Sequence, residues 1–563
     1  MPKSKKNIDV LGSAMNKAKQ ARRNYEFVKP AAIETREVRH YPVIIAGAGP
    51  VGLAAAIDLE QHGIKSLVLE KANTVSDGSR AICWAKRTLE ILDRLGTGEH
   101  MLEKGVVWNT GKMFSGADRN PLYQFDLLPD RNQHFPAFVN LQQYYAEEYL
   151  LDLFPDMKLS EIRWQNAVSS VSNEDDKVTI TVTTPAGDYQ LSCDYLIAAD
   201  GCRSSVRDCL GLDFEGRIFE DNFLIVDIKM HTDFPAERHF WFNPPFNPGQ
   251  TSLIHKQADN VFRIDFQLGR DIDRQQALLK ENVDKKVHAF LGPDIAFEYE
   301  WVSIYTFACL RMEKFVHGRV IFAGDAAHLV SPFGARGANG GIQDSDNLCW
   351  KLAMLINGTA ARPLLESYDT ERIHGADENI LNSSRSTDFM SPKGEVSLAF
   401  RNATLGLARD FEFARHFVNG GRLSTPCTLD NSPLNTADED TFTDKQRPGS
   451  PCMDAPILKD GDRDWLLKQL GHRFTGLYFT DGETVLPAPD SLSTQTRIPL
   501  DLLVVNKQDS GGLYDKDGLA FQHYDAAPGT FYLVRPDQHV AARWRQFNSD
   551  KVAMALRTAT AQH

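Results

Sequence analysis

The sequence predicts an α/β protein: a parallel, nucleotide-type sheet, an antiparallel sheet inserted into it, and a second, smaller α/β unit toward the C-terminal end. Three observations carry this. Residues 42–70 read strand, glycine-rich turn, helix, strand, a βαβ unit that calls for a parallel sheet with helices on its faces. Residues 205–300 hold strand-like pieces with Pro244, Pro245 and Pro248 between them, which reads as a largely antiparallel sheet. Residues 420–455 shift to Thr, Asp, Pro and Ser, with Pro426, Pro433, Pro448 and Pro451, and a new set of strands follows this linker or wrapping segment.

Composition sets the bounds. At 563 residues, with roughly 100–200 residues per domain, the chain has room for three or four domains. Hydrophobic residues make up 42% and charged residues 24%, which is ordinary globular usage. The net charge of −13 repels phosphate backbones, so no nucleic-acid partner is expected. The eight cysteines (Cys83, Cys193, Cys202, Cys209, Cys309, Cys349, Cys427 and Cys452) contain no C-x-x-C pair. That usage fits a reducing cytoplasm and argues against a disulfide scaffold or a structural zinc site. The longest uncharged apolar run, residues 41–57, is short for a bilayer and broken by glycines and Pro50, so no membrane span is expected. Residues 1–39 carry Lys3, Lys5, Lys6, Lys17, Lys19, Arg22 and Arg23 without an apolar stretch; they read as a solvated basic arm, not a secretory signal.

In chain order, residues 42–46 form an apolar strand of the buried parallel type, 53–62 a helix closed by Gly63, and 66–70 the next strand. Residues 177–184 and 189–199 read as a meander ending in Asp200-Gly201. Strands are expected at 223–230, 239–242 and 261–268, then at 319–323, followed by a helix from 341 to about 356 that Asn357-Gly358 ends. Beyond the linker, strands are expected at 474–479, 500–505 and 529–534 and a helix at 544–558. No internal repeat is present at a period of roughly 20–50 residues.

Gly47, Gly49 and Gly52 form G-x-G-x-x-G between the first strand and helix, and Glu70 follows 18 residues later. Gly47 permits the tight turn, Gly49 lets backbone approach a pyrophosphate, and Gly52 lets helix and strand pack closely. The helix N-terminus offers free N–H groups to phosphate, and Pro50 of the turn joins the expected cofactor set. Glu70 accepts from ribose hydroxyls and repels a 2′-phosphate. The flanking strand, helix and acid turn a weak motif into a Rossmann-like adenine-dinucleotide site, without choosing between NAD and FAD.

Two later segments make that choice by resemblance. Residues 195–207, Tyr-Leu-Ile-Ala-Ala-Asp-Gly-Cys-Arg-Ser-Ser-Val-Arg, resemble the Asp-Gly motif of the p-hydroxybenzoate hydroxylase family of FAD-dependent (class A) aromatic monooxygenases. Residues 319–328, Arg-Val-Ile-Phe-Ala-Gly-Asp-Ala-Ala-His, resemble its Gly-Asp motif, and 331–352 and 364–372 continue the likeness. The likeness runs from residue 40 to about 380 and is closest to the phenol and hydroxyphenylpropionate hydroxylase subgroup, which ends in a thioredoxin-like domain.

The resemblance implies an FAD-binding domain at 40–210 and 301–385, a substrate domain at 211–300 with parts of 386–440, and a thioredoxin-like domain at 441–563. It implies that Asp325 meets the ribityl hydroxyls, that Gly337, Ala338 and Asn339 with Gly340 and Gly341 open a helix toward the isoalloxazine carbonyls, and that Pro332 places a carbonyl against the ring. Arg80 matches the arginine that approaches the pyrophosphate, Gln143 a flavin-contacting glutamine, and Asp200 an acid near FAD and the nicotinamide route. Lys71, after Glu70, joins the expected cofactor set. Ser331 stands where a proline is frequent, and Ala335-Arg336 where Gly-Gly or Gly-Gln is. Arg336 reads equally as a group favouring an anionic substrate or as an ion-pair partner, and His328 as structural.

The implied cycle uses FAD, NADPH or NADH, and O2: the reduced flavin forms a C4a-hydroperoxide that hydroxylates a phenolic ring. No His/Cys/carboxylate cluster shows ligand spacing, so no metal is expected. His255, Gln257, Arg263 and Asp265 share one parity within 251–268; His255 and Arg263 are the expected orienters of a phenolate, with Pro332 completing the catalytic set. An outward polar face accounts for the same parity. A flavin reductase, a halogenase or a silent flavin-binding interaction protein of the same fold are the alternatives; W-x-W-x-I-P of the halogenases is absent, and intact Gly49, Asp200, Asp325 and Asn339 oppose a silent module. The C-terminal part resembles the thioredoxin-like domain at residues 529–544 but lacks C-x-x-C, which leaves a structural or dimer-interface role. A homodimer is the family's habit.

Overall fold

The computed structural model describes residues 22–77, 80–128, 132–418, 425–483, 498–509 and 512–562. The first strand, Arg39–Ala46, runs parallel to Ser66–Glu70 on one side and to Gly187–Ala198 on the other, and Val320–Phe322 adds in parallel beyond the latter. Ser160–Trp164 extends the other edge. The central stretches of these strands, residues 43–46, 66–69, 195–198 and 320–322, are buried and mostly apolar, as a sheet covered on both faces requires. The helix Pro50–Gln61 starts at the proline, three residues earlier than expected, because Pro50 sits at the position where a missing N–H costs nothing. Gly63 has φ +75°, as its place after the helix demands. Strands Ala167–Asn173 and Val178–Thr184 form the expected meander with Gly187–Ala198.

The largely antiparallel sheet has eight strands, in the order His328–Leu329, Glu298–Arg311, Glu215–Lys229, Val261–Gly269, Thr251–Lys256, Arg238–Phe242, Thr110–Ser115 and Tyr123–Asp126, with Arg238–Phe242 and Thr110–Ser115 running parallel. It thus draws on residues outside 211–300. Its outer face, with Leu224, Val226, Ile264 and Phe266, packs on Val283 and Val287 of the helix Lys280–Leu291. Its inner face, with Phe223, Phe240, Phe242 and Leu253, packs on Phe333, Met390 and Leu405.

A third sheet of seven strands lies after the linker. Its strand Phe474–Thr480 is buried throughout, runs parallel to Leu500–Asn506 and antiparallel to Phe531–Val534, and Val540–Trp544 pairs with the latter. Trp544 therefore ends a strand, and the last helix is Ser549–Ala559, not 544–558; it begins where the Asn548 side chain accepts from the N–H groups of Asp550 and Lys551. Trp350 and Leu364 share one apolar cluster with Phe474, Phe531 and Trp544, so this sheet is seated on the helices Gly337–Ile356 and Arg362–Met390.

Most of the described part of the basic arm is exposed, in keeping with a solvated reading, but two of its side chains pack on the domain. Tyr25 stacks on Trp164 with ring centroids 4.0 Å apart, and the Arg22 guanidinium lies 3.2 Å from the Tyr144 ring centroid. Cation–π and stacking contacts outweigh solvation of these side chains. Residues 1–21 lie outside the described residues. No helix among the described residues is long and apolar enough to cross a membrane.

Candidate cofactor and substrate site

The expected dinucleotide residues converge at one edge. Gly47, Glu70, Asp200 and Asp325 follow or end four neighbouring parallel strands at their carboxyl ends, the edge where open α/β sheets bind ligands. A Cβ at Gly52 would lie 2.0 Å from Gly47 O, and one at Gly47, which has φ +104°, 2.5 Å from Ala199 O. Gly49, by contrast, would place a Cβ with no atom within 4 Å. Two glycines are thus required by packing, and the third leaves open backbone before the helix. No side chain caps that helix, so its first N–H groups remain available to phosphate. Glu70 accepts from Ala48 N and Ala72 N, both at 2.8 Å, which fixes its carboxylate beside the turn.

Asp200 accepts from Ser205 Oγ and Val206 N through Oδ2, each at 3.2 Å, while its buried Oδ1 has no partner. Asp325 is exposed to the cleft, its Oδ1 3.9 Å from a Cβ built on Gly337. Pro332 is exposed beside it in sequence, its carbonyl accepting from Ala335 N at 3.0 Å. Gly337 and Ala338 open the helix Gly337–Ile356, again without a side-chain cap. An orphaned acid, an open glycine and two uncapped helix starts on one cleft fit a dinucleotide with phosphate, ribose and ring.

Other expected residues are committed to the protein itself. The Asn339 side chain accepts from Ala85 N at 2.9 Å and donates to Cys83 O at 2.9 Å, tying the strand Cys83–Ala85 to the helix. Gln143 accepts from Ala81 N at 3.2 Å and donates to Glu147 at 2.8 Å, which holds the loop bearing exposed Arg80. Lys71 is exposed. His328 lies 2.7 Å from Asp344, itself bound by Arg372 at 2.6 Å, and is structural as expected. Arg336 is buried and donates to Asn379 at 2.8 Å.

His255, Arg263 and Asp265 do face one side of the antiparallel sheet, as parity requires: Arg238 pairs with His255, His255 with Arg263, and Arg263 with Asp227. Arg263, however, donates to both Asp227 oxygens at 2.9 and 3.0 Å and to Arg80 O at 2.9 Å. An ion pair formed across the neighbouring strand leaves it no free fork for a phenolate. Burial, with the charges of Arg238 and Arg263, holds His255 well below its usual range, so it is neutral beside Cys83 Sγ at 4.0 Å. Burial pushes Asp265 up to about 7, and its Oδ1 has no partner.

A cavity lies between this sheet and the helices Arg362–Met390 and Glu412–Val418. It measures about 340 Å³ and is walled by Met113, Phe125, Phe240, Phe333 and Met390, with Arg238, Arg415 and His416 among its polar groups. Neither His255 nor Arg263 lines it; Arg238, one strand over, does. Spacing within any one element gives no hint of this, because the wall is assembled from stretches of chain between residues 112 and 418. His374, Glu378 and Cys427 also bring one donor atom each within 4.8 Å of one another. The charges of Arg372 and Arg336 act on that thiol.

The fold and this site are those of a dinucleotide-binding α/β protein with a second sheet inserted. Residues 40–383 match the family described as FAD binding domain, and the chain belongs to it. It is 32% identical over 340 residues to a 12-dehydrotetracycline 5-monooxygenase/anhydrotetracycline 6-monooxygenase of Streptomyces rimosus subsp. rimosus, covering 59% of this chain and 66% of that relative, about two thirds of its length. It is 26% identical over 539 residues to a 3-(3-hydroxy-phenyl)propionate/3-hydroxycinnamic acid hydroxylase of Burkholderia cenocepacia, covering 92% of this chain and 96% of that relative. The solved structure of the flavin-dependent monooxygenase PieE in complex with FAD and substrate superposes with a TM-score of 0.78 over 93% of this chain and 99% of that one, at 22% identity, which shows a shared fold.

Proposed function

We propose that the protein hydroxylates a phenolic or other aromatic substrate, using FAD, NAD(P)H and O2. The observation that carries this is the convergence of Gly49, Glu70, Asp200 and Asp325 on one strand edge beside an aromatic-walled cavity of about 340 Å³. Bound FAD supplies acceptance of a hydride and activation of O2. The chain's own groups do the rest. The helix starts at Pro50 and Gly337 hold anionic parts of the cofactor through free N–H groups. Gly47, Gly49, Pro50 and Gly52 form the phosphate turn, Glu70 takes ribose hydroxyls with Lys71 beside it, Asp325 the ribityl chain, Arg80 the pyrophosphate, and Asp200 completes the cleft through Oδ1. Gln143 and Asn339 position the loop and strand around it, and Pro332 with Ala338 borders the ring. The aromatic wall excludes water from the reacting ring.

The unit after residue 441 is proposed to be thioredoxin-like, supported by a buried strand parallel to one neighbour and antiparallel to the other, an antiparallel hairpin beyond it, and a helix packed on the sheet. Its Cys452 is buried and unpaired, which leaves it a structural role. A homodimer is proposed, supported by exposed Phe400, Phe411, Phe413 and Phe417. Unpaired cysteines support a reducing, cytoplasmic setting.

Purified protein should be yellow, release FAD on denaturation, and oxidise NADH or NADPH faster with an accepted phenol while forming hydroxylated product. A colourless protein that FAD cannot reconstitute, or one in which no aromatic compound changes the rate and no product forms, overturns the reading.

A further inference from the structure

The aromatic-walled cavity holds a cation with no partner. Arg238 opens the strand Arg238–Phe242, opposite Gly111 on one side and His255 on the other. Alternation along the strand sets its side chain on the face of Phe240 and Phe242, and it lines the cavity beside Phe240. Among the described residues its guanidinium makes no hydrogen bond and no ion pair. The other strong cations of the wall are engaged: Lys112 pairs with Glu237 at 2.7 Å, and Arg415 donates to Ala408 O and Arg409 O at 2.8 and 3.0 Å. Asp126 and Glu412 also border the cavity, yet neither pairs with Arg238.

We propose that Arg238 is the specificity determinant of this cavity, and that it selects aromatic substrates carrying an acidic group, a carboxylate beside the ring. This rests on the reading of the cavity as the substrate site. A guanidinium set in an apolar wall without a counter-charge is costly, and a ligand that supplies the charge recovers that cost. Its planar fork matches a carboxylate through two parallel N–H···O bonds, more strongly than neutral partners bond. The groups facing it leave the place open: Arg263 is occupied by Asp227, His255 is neutral, Cys83 is a protonated thiol, and Asp265 attracts it without reaching it.

The surroundings fix where the ring lies. A Cβ at Gly111 would be 2.2 Å from Phe125 Cζ, so the Phe125 ring covers the glycine next to the guanidinium. The wall continues in Met113, Phe333 and Met390. A ring packs against these side chains while its acidic arm reaches Arg238. About 340 Å³ accommodates one or two fused rings with such an arm. A phosphate of the nicotinamide nucleotide presents the same chemistry, and the test separates the two.

The test uses the FAD-loaded full chain. Dissociation constants of 3-(3-hydroxyphenyl)propionate and 1-hydroxy-2-naphthoate are compared with those of their primary amides, for wild type, Arg238→Met and Arg238→Lys, alongside FAD content and the KM for NADPH. At least one acid should bind wild type about 10- to 100-fold more tightly than its amide, the gain of a charge-assisted bond. Arg238→Met should erase that difference by weakening the acid alone, Arg238→Lys should retain part of it, and FAD content and the NADPH KM should hold. Equal binding of acid and amide by wild type overturns the proposal and needs no variant. So does a rise in the NADPH KM with acid binding unchanged. If FAD-loaded wild type binds no aromatic compound, acid or amide, the reading of the cavity as the substrate site falls with it; if amides bind as well as acids, only the role of Arg238 falls.

Discussion

Arg535 donates to both carboxylate oxygens of Glu371, at 2.6 and 3.0 Å, across 164 residues of sequence. Both side chains are wholly buried, and the same pair gathers Lys351 at 2.6 Å from Glu371 and Asp537 at 2.5 Å from Arg535. Ser432 of the wrapping segment also donates to Glu371. The network joins the C-terminal sheet to the two long helices behind the cofactor cleft. Removing one member of a buried ion pair strands the other, at a cost of about 3–5 kcal/mol. Arg535→Ala should therefore lower the melting temperature strongly and loosen FAD at the same time. A variant that melts within a degree or two of wild type would show that the two parts are not coupled through this pair.

The glycine turn yields a contrast within one motif. Gly52→Ala drives a Cβ to 2.0 Å from Gly47 O and should destabilise the fold by more than about 2 kcal/mol. Gly49→Ala meets no protein atom within 4 Å, so the apoprotein should melt as wild type does while FAD affinity drops at least about tenfold, since the Cβ occupies cofactor space. Equal effects of the two substitutions on apoprotein melting would contradict the geometry.

Asp58 makes stability depend on pH. Burial, opposed by Arg94, pushes its carboxyl up to about 7. The folded chain then binds the proton more tightly than the unfolded one, whose carboxyl titrates near 3.9. This contribution is present below the unfolded value and is lost as pH rises through about 7. Asp58→Asn should flatten the fall between about pH 4 and 7 and melt above wild type at pH 8. Parallel melting curves for the two proteins over that range would refute it.

Asn339→Ala removes the bonds to Ala85 N and Cys83 O. The orphaned backbone groups should cost about 1–3 kcal/mol in denaturant unfolding. Asn339→Asp, which keeps the acceptor for Ala85 N, should lose less. An Asn339→Ala protein as stable as wild type but unable to bind FAD would assign the side chain to the cofactor instead.

The legible parts of the site were those written locally. Gly47, Gly49 and Gly52 announce a turn because backbone conformation and close packing demand glycine there, and Asp200 and Asp325 sit just beyond strands whose apolar runs are plain. Parity within 251–268 placed His255, Arg263 and Asp265 on one face, because alternation is a property of a single strand. It did not show that Asp227, on the neighbouring strand, takes Arg263, or that Arg238 one strand further lines the cavity. Those facts follow from strand order and register, which join residues far apart in sequence. The same limit hid the Arg535–Glu371 network, and it extended the last helix back to Trp544, whose pairing with Phe531 holds it in a strand.

The order of the chain gives the Arg535–Glu371 pair a consequence for synthesis. Glu371 and Lys351 emerge from the ribosome well before Arg535, so their seam stays short of its principal cation until translation is nearly over. The nucleotide-binding half therefore matures late, against the usual N-terminal-first sequence. Ribosome-stalled chains ending before Arg535 should be cleaved by protease within residues 340–390, and chains that expose Arg535 should be protected there; equal protection of both would show that the first half closes alone.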